Sequence, residues 1–277
     1  MPRRTCSTPL PALIIALTST ASADAQVVSV RDIDYRPDEV TADGRDLLDV
    51  HHSSGAGKAP VVVFLHGGAL RAGDKDRAEP FAARIVPLGF VVVAPNYRLS
   101  PQVQHPAHVQ DAAVATAWAF RHAHSYGGDP ERVYLAGHSA GAYLAALLVL
   151  DPTHLAVHGL RPGCLRGTIA ISPFLYVEET AADRPKDVWG EDPDAWRAAS
   201  VSPHIRPGQG RMLLIYADGD EPWRKRQNEL FVQQMHDAQN ADIRAVEVPD
   251  RDHSSLVTKM ADPDDQIGDL IRQFAQP

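Results

Sequence analysis

Gly137-His138-Ser139-Ala140-Gly141 carries more structural information than any other five residues of this chain. It lies between the apolar run Val133-Tyr134-Leu135-Ala136 and the Ala/Leu-rich run Ala142-Tyr143-Leu144-Ala145-Ala146-Leu147-Leu148. A strand that turns abruptly into a helix around G-x-S-x-G is a nucleophile elbow, which lifts a serine oxygen clear of the sheet. The turn strains the serine backbone, and side chains at Gly137 and Gly141 would collide where strand and helix almost touch.

Working outward, the continuous β-branched runs 61–65 and 90–94 imply strands buried on both faces. The strand before Ser139 makes a third, fed by the turn Gly127-Gly128-Asp129-Pro130. Short strands are expected over 27–35 and 46–51, divided by the polar turn 41–44, and later strands over 168–172, 212–217 and 243–248. Val109, Ala113, Ala117 and Phe120 recur at helical spacing. Further helices are expected over 80–86, 223–239 and 264–274. Strands alternating with helices describe an α/β domain, a mostly parallel sheet covered on both faces. Ligands of such sheets gather at the carboxyl ends of the strands.

A serine hydroxyl is a poor nucleophile near neutral pH, so Ser139 needs a base within hydrogen-bond reach and a carboxylate to orient that base. In the expected order the acid follows the serine and the histidine follows the acid. The strand over 212–217 ends in Asp218-Gly219-Asp220-Glu221-Pro222, and the strand ending at Val248 is followed by Pro249-Asp250-Arg251-Asp252-His253. Of 13 histidines, His253 alone lies beyond the acid loop and also follows a strand. Asp220 is the expected acid, with Asp218 its close rival in a loop-capping role and Glu221 and Asp252 weaker candidates. His138, inside the elbow, reads as a packing residue. Backbone donors for an oxyanion are expected from His66-Gly67-Gly68-Ala69, just after the strand over 61–65, and from the N–H of Ala140.

The formal net charge of -8 argues against a nucleic-acid partner. With 277 residues the chain suits one sizeable domain, 26–277, rather than two. Arg3 and Arg4, an apolar core over 10–17, and two A-x-A sites at 21–23 and 23–25 read as a cleaved signal peptide over 1–25. Export to the periplasm or the medium is therefore expected, without membrane insertion after cleavage, since that core is far shorter than the roughly 20 residues of a membrane span. Cleavage would leave Cys164 as the only cysteine, and one thiol makes no internal disulfide. No metal-ligand cluster or phosphate-binding glycine loop is apparent, so neither metal nor cofactor is expected.

With these residues assembled, the chain resembles a serine esterase of the α/β-hydrolase superfamily. It is similar in style to hormone-sensitive-lipase-like esterases, feruloyl/acetylxylan-type esterases and arylformamidases. The matching motifs run from about Val61 to the end: His66-Gly67-Gly68 with Gly73-Asp74-Lys75, Asn96-Tyr97-Arg98-Leu99-Ser100-Pro101, Pro106 with Asp111, Gly128-Asp129-Pro130, the elbow, Ser202-Pro203 and Asp252-His253-Ser254. The resemblance implies a triad of Ser139, Asp220 and His253, with Gly68, Ala69 and Ala140 lining the oxyanion hole. It also implies supporting roles for Asp111 and the Tyr97-Arg98 pair. Ala69 stands where many relatives have a third glycine, and Leu70 where many have an aromatic.

The length leaves no room for a large cap domain. A lid-like insertion over 173–210 carries Phe174, Tyr176, Trp189 and Trp196 among acidic residues. Either it roofs the pocket, with its aromatics on the acyl or alcohol group, or those aromatics anchor it to the core. A short roof favours hydrolysis of short- to medium-chain or aryl carboxylic esters, free or linked to polysaccharide, through an acyl-enzyme. The alternatives are arylformamidase-like amide hydrolysis and a non-catalytic binding protein on the same scaffold.

Overall fold

The computed structural model describes residues 26–38, 43–55, 57–180, 185–262 and 265–276. The leader expected over 1–25 lies outside the described residues. The strands are β1 (Val27–Asp34), β2 (Leu47–Ser53), β3 (Ala59–Leu65), β4 (Val91–Pro95), β5 (Gly128–His138), β6 (Gly167–Ile171), β7 (Met212–Ala217) and β8 (Ile243–Val248). The helices are α1 (Glu79–Ile85), α2 (Ala107–His122), α3 (Ala140–Leu150), α4 (Thr153–Ala156), α5 (Pro185–Trp189), α6 (Pro193–Ala199), α7 (Pro222–Asp237), α8 (Ser255–Thr258) and α9 (Gln266–Phe274).

The strands form one sheet in the order β1-β2-β4-β3-β5-β6-β7-β8. Among the described strands, only β2 with its two neighbours is antiparallel. All other pairs are parallel. From β3 the chain steps outward to β4, then returns to lay β5 on the other side of β3. The strand order therefore reverses between β3 and β5, and the loops leaving those two strands open the crevice that ligands use in such sheets. Those loops are 66–69 and the elbow.

The apolar runs explain the two faces. Along β3, Val61, Val63 and Leu65 enter one core, while Val62 and Phe64 enter the other. In β5, Leu135 and Val133 alternate in the same way with Tyr134 and Ala136. Side chains of this size contribute about 1.5–3 kcal/mol each on full burial. α1, α8 and α9 cover one face. The longer helices α2, α3 and α7 cover the other. Every residue of α3 is buried, so its sequence is apolar all round, as a helix enclosed on all sides requires. Among the described residues no helix is long and apolar enough to cross a membrane.

Element ends differ from expectation where turn chemistry decides them. β5 begins at Gly128, inside the expected turn, and Gly127 alone closes the preceding helical turn at φ 79°. A Cβ on Gly128 would stand 2.6 Å from Val61 Cγ2, so the strands there approach too closely for any other residue. α7 begins at Pro222, whose missing N–H costs nothing at the first helical position. Asp265 caps α9 by accepting from the N–H groups of Ile267 and Gly268. The start of that helix is thus later than the expected 264, which itself lies outside the described residues.

Two fully enclosed histidines tie this packing to pH. His66 Nδ1 lies 2.9 Å from Gly67 O, and its Nε2 has no partner among the described residues. Ser100 donates to Val103 O, so His108 donates from Nε2 to Ser100 Oγ at 3.1 Å, leaving its Nδ1 unpartnered. A second proton on either ring would meet no acceptor, and burial pushes both down to about 4. Unfolding therefore takes up protons below pH 6.5, and stability falls with pH through the window from 6.5 to 4. The two sites together should remove on the order of 4 kcal/mol between pH 7 and pH 5. Urea titrations at both pH values check this. His108→Gln should flatten the dependence, and equal slopes in wild type and variant would refute it.

Candidate active site

The elbow is as tight as its glycines suggest. Ser139 has φ 54° and ψ -115°, a conformation that L-residues adopt only when the surroundings enforce it. A Cβ on Gly137 would stand 2.4 Å from the Gly141 carbonyl carbon. One on Gly141 would meet Leu65 O at 2.0 Å. The second clash is with β3 rather than within the turn, so Gly141 sets how closely the elbow approaches the 66–69 loop.

Ser139 Oγ lies 3.0 Å from His253 Nε2. His253 Nδ1 lies 3.1 Å from Asp220 Oδ1. Asp220 Oδ2 accepts the N–H of Ala217 at 2.9 Å. Asp220 is almost fully buried, at 5% exposure. Burial alone would raise its pKa, but the donors from His253, Ala217 and Ser172 outweigh that and hold it below the usual carboxylate range. The side chain is therefore ionised at neutral pH, as an orienting acid must be.

The rivals do other work. Asp218 accepts the N–H groups of Asp250 at 3.0 Å and Arg251 at 3.1 Å. It clips the loop after β8, which carries His253, to the loop after β7. Asp252 accepts the N–H of Ser255, the first residue of α8. Glu221 is exposed and lies 3.6 Å from Arg224. His138 donates from Nε2 to the backbone carbonyl of His253 at 2.8 Å, with the rings 4.7 Å apart. Burial and the neighbouring His253 push it down to about 3, so it stays a neutral donor that fixes the loop.

Opposite the histidine, Gly68 and Ala69 line the same cavity as Ser139 and His253. Gly68 has φ 129°, and a Cβ there would lie 2.0 Å from Ala72 O. Its carbonyl accepts from both Arg71 and Ala72. Ala69 follows at φ 58° and Leu70 at φ 62°, a left-handed stretch where glycine would be at ease. The N–H groups of Gly68 and Ala69 have no protein acceptor among the described residues. Ala140 is buried at the first position of α3, where an N–H lacks a helical acceptor and the helix dipole favours negative charge.

Other residues hold the frame. Tyr97 donates to His66 O at 2.7 Å and stacks on its ring at 4.2 Å. Asp111, fully buried, accepts Arg98 at its backbone N–H, Nε and Nη2, and also pairs with Arg36. Phe174, Tyr176 and Trp189 of the insertion are buried in the same core as α3. Tyr143 stacks on Phe174 at 4.6 Å and meets Trp189 edge-on. No described residue of 173–210 lines the Ser139 cavity. The aromatics anchor the insertion, and they brace the helix that carries the elbow. Cys164 is a free cysteine away from these groups.

Sequence reasoning missed two residues here. Ser172, next after β6, donates its hydroxyl to Asp220 and also lies 2.8 Å from His253 Nδ1. Its position at a carboxyl end of a central strand was the available signal. Arg224, in the first turn of α7, sits 3.6 Å from Asp220, donates to Ser172 O at 3.1 Å and covers the Trp223 ring. Among the described residues no group of three or more His, Cys, Asp or Glu side chains is arranged to hold a metal ion.

The topology is that of the α/β-hydrolase fold, and known proteins agree. A family model described as BD-FAE matches residues 48–158. Esterase LipQ of Mycobacterium tuberculosis is 29% identical over 215 residues, covering 71% of this chain and 50% of the relative. The probable carboxylic ester hydrolase LipM of the same organism is 41% identical over 97 residues, 35% of this chain and 22% of the relative. The chain thus spans half or less of the length of these curated relatives. Among solved structures, a truncated form of a carbohydrate esterase from gut microbiota superposes with a TM-score of 0.76 at 18% identity, covering 91% of this chain and 96% of that one.

Proposed function

We propose that this chain is a serine carboxylesterase acting on short- to medium-chain or aryl carboxylic esters through an acyl-enzyme. The observation that carries this is the unbroken relay from Ser139 Oγ through His253 to Asp220 at 3.0 and 3.1 Å, facing uncommitted backbone donors. Ser139 Oγ attacks the ester carbonyl carbon while its proton passes to His253 Nε2. The carbonyl oxygen becomes an oxyanion, stabilised by the N–H groups of Gly68, Ala69 and Ala140. Collapse breaks the bond to the alcohol oxygen, which leaves with the proton from Nε2. Water then repeats the sequence on the acyl-serine, releasing the acid and restoring Ser139.

Size supports the acyl preference. The cavity at Ser139 is about 330 Å³, near the lower end for small-molecule sites. A second cavity of about 470 Å³ adjoins it across Arg77, His138 and Ser254, with Phe64, Pro80 and Val257 in its lining. The leaving oxygen takes its proton at His253, so the alcohol half extends toward that second cavity. Export by the N-terminal leader is part of the same proposal, resting on Arg3, Arg4 and the apolar run 10–17.

A panel of p-nitrophenyl esters tests the reading. Turnover should peak at acetate to butyrate and fall steeply by palmitate. A maximum on the longest chains would overturn the acyl preference, and faster turnover of aryl formamides than of any ester would overturn the reaction type.

A further inference from the structure

We propose that Ser172 is a positioning residue of the hydrolytic site, holding the Asp220 carboxylate and the Nδ1 side of His253 in one geometry. This rests on the esterase reading above. The Ser172 hydroxyl has a single proton, and Asp220 takes it, with Oδ1 at 2.9 Å and Oδ2 at 2.7 Å. Asp220 is ionised and has no proton to return. The lone pairs of Ser172 Oγ then face His253 Nδ1 at 2.8 Å, closer than Asp220 Oδ1 at 3.1 Å. The Nδ1–H of His253 accordingly has two acceptors, and they are locked to each other. With the proton pinned on Nδ1, Nε2 presents its lone pair to Ser139.

The backbone adds an independent argument. Ser172 has φ 47°, in the left-handed region where glycine is at ease and other residues are strained. It is fully buried. Its N–H donates to Ile215 O at 2.6 Å and its carbonyl accepts from Arg224 at 3.1 Å. These two bonds fix the strained conformation from both sides, and neither needs a side chain. A turn built only for shape would be served by glycine. A serine in that place is accounted for by what its hydroxyl does, and strain of this kind concentrates where geometry is functional. Ser139 and Ala69, which both line the cavity, share the feature.

Two variants separate the roles. Ser172→Ala removes the hydroxyl and keeps the strain, whereas Ser172→Gly removes both. If Ser172 acts through His253, both variants lose roughly ten- to a hundredfold in kcat with p-nitrophenyl butyrate, the scale of one hydrogen bond to a charged group. KM should stay near wild type in each. Tm should nonetheless be higher for the glycine variant than for the alanine variant. Activity then follows the hydroxyl while stability follows the backbone. A glycine variant with wild-type kcat would overturn the assignment, as would kcat values that rank with Tm. Wild type and Ser139→Ala run alongside keep the two readings apart. An active wild type beside an unimpaired Ser172→Gly removes the Ser172 role alone. A wild type that neither turns over esters nor reacts with a fluorophosphonate removes both.

Discussion

Ser139→Ala should lower kcat on p-nitrophenyl butyrate roughly a millionfold, the scale seen when the nucleophile of such a relay is lost. The fold should survive. The backbone at position 139 has φ 54° whichever of the two residues occupies it, and it is held by the N–H of Ser139 donating to Ile171 O at 2.8 Å. Only the hydroxyl is lost, so Tm should move by little and fluorophosphonate labelling should vanish. His253→Ala should cost nearly as much, because Ser139 then has no base within reach. The double variant should be scarcely slower than either single one, since the two groups act as a unit. Multiplicative losses in the double variant would show that Ser139 and His253 contribute separately, against the 3.0 Å contact between them.

Residues next to strand ends were the most legible in the sequence. Ser139 follows β5, Asp220 follows β7 and His253 follows β8, and each lies within a few residues of an apolar run whose period and length mark a buried strand. The runs at β7 and β8 were long enough that their bounds match the expectation at both ends. The ends set by turn chemistry were less so. Gly128 and Pro130 look like turn residues, yet Gly128 pairs with Ala59, because the choice is made by β3 lying too close for a side chain. Nothing local to 127–130 encodes that approach.

The insertion shows a second limit. Its charged residues suggest a solvated excursion, and its aromatics suggest either a roof or an anchor. Which of these holds depends on Tyr143, whose ring meets both Phe174 and Trp189 from another element. Contacts between elements about 30 to 46 positions apart leave no periodic trace. Ser172 was passed over for a related reason. A lone serine before a proline is unremarkable until Asp220, on the loop of the neighbouring strand, is seen to take its proton. Four consecutive strands of the sheet, β5 to β8, thus each deliver one member of the cluster at the carboxyl end. Parallel strands bring those ends together on one edge, so the spacing of the side chains follows from the spacing of the sheet.

Asp220→Asn should lower kcat by about four orders of magnitude with KM little changed, the scale of the same substitution in another Ser-His-Asp relay. The hydrogen bonds around the carboxylate show how. Oδ2 accepts the N–H of Ala217 at 2.9 Å, and that group can only donate. An asparagine must therefore turn its carbonyl oxygen to the Oδ2 position. Its NH2 then occupies the Oδ1 position and faces His253 Nδ1, 3.1 Å away in the native geometry. Two donors cannot share that contact, and Ser172 Oγ is left as the sole acceptor for an Nδ1 proton. The NH2 can donate to Nδ1 once the imidazole carries its proton on Nε2, so the balance shifts to that tautomer. In that tautomer Nε2 has no lone pair for the Ser139 proton, and attack stalls although every heavy atom stays in place. Asp218→Asn is the matched control. It weakens the clip to Asp250 and Arg251 and should lower Tm, while most of kcat is retained. Measured together, kcat and the rate of fluorophosphonate labelling should fall in parallel for Asp220→Asn. Near-native labelling in that variant, or a larger loss of kcat in Asp218→Asn, would show that the carboxylate orienting His253 is not the one at position 220.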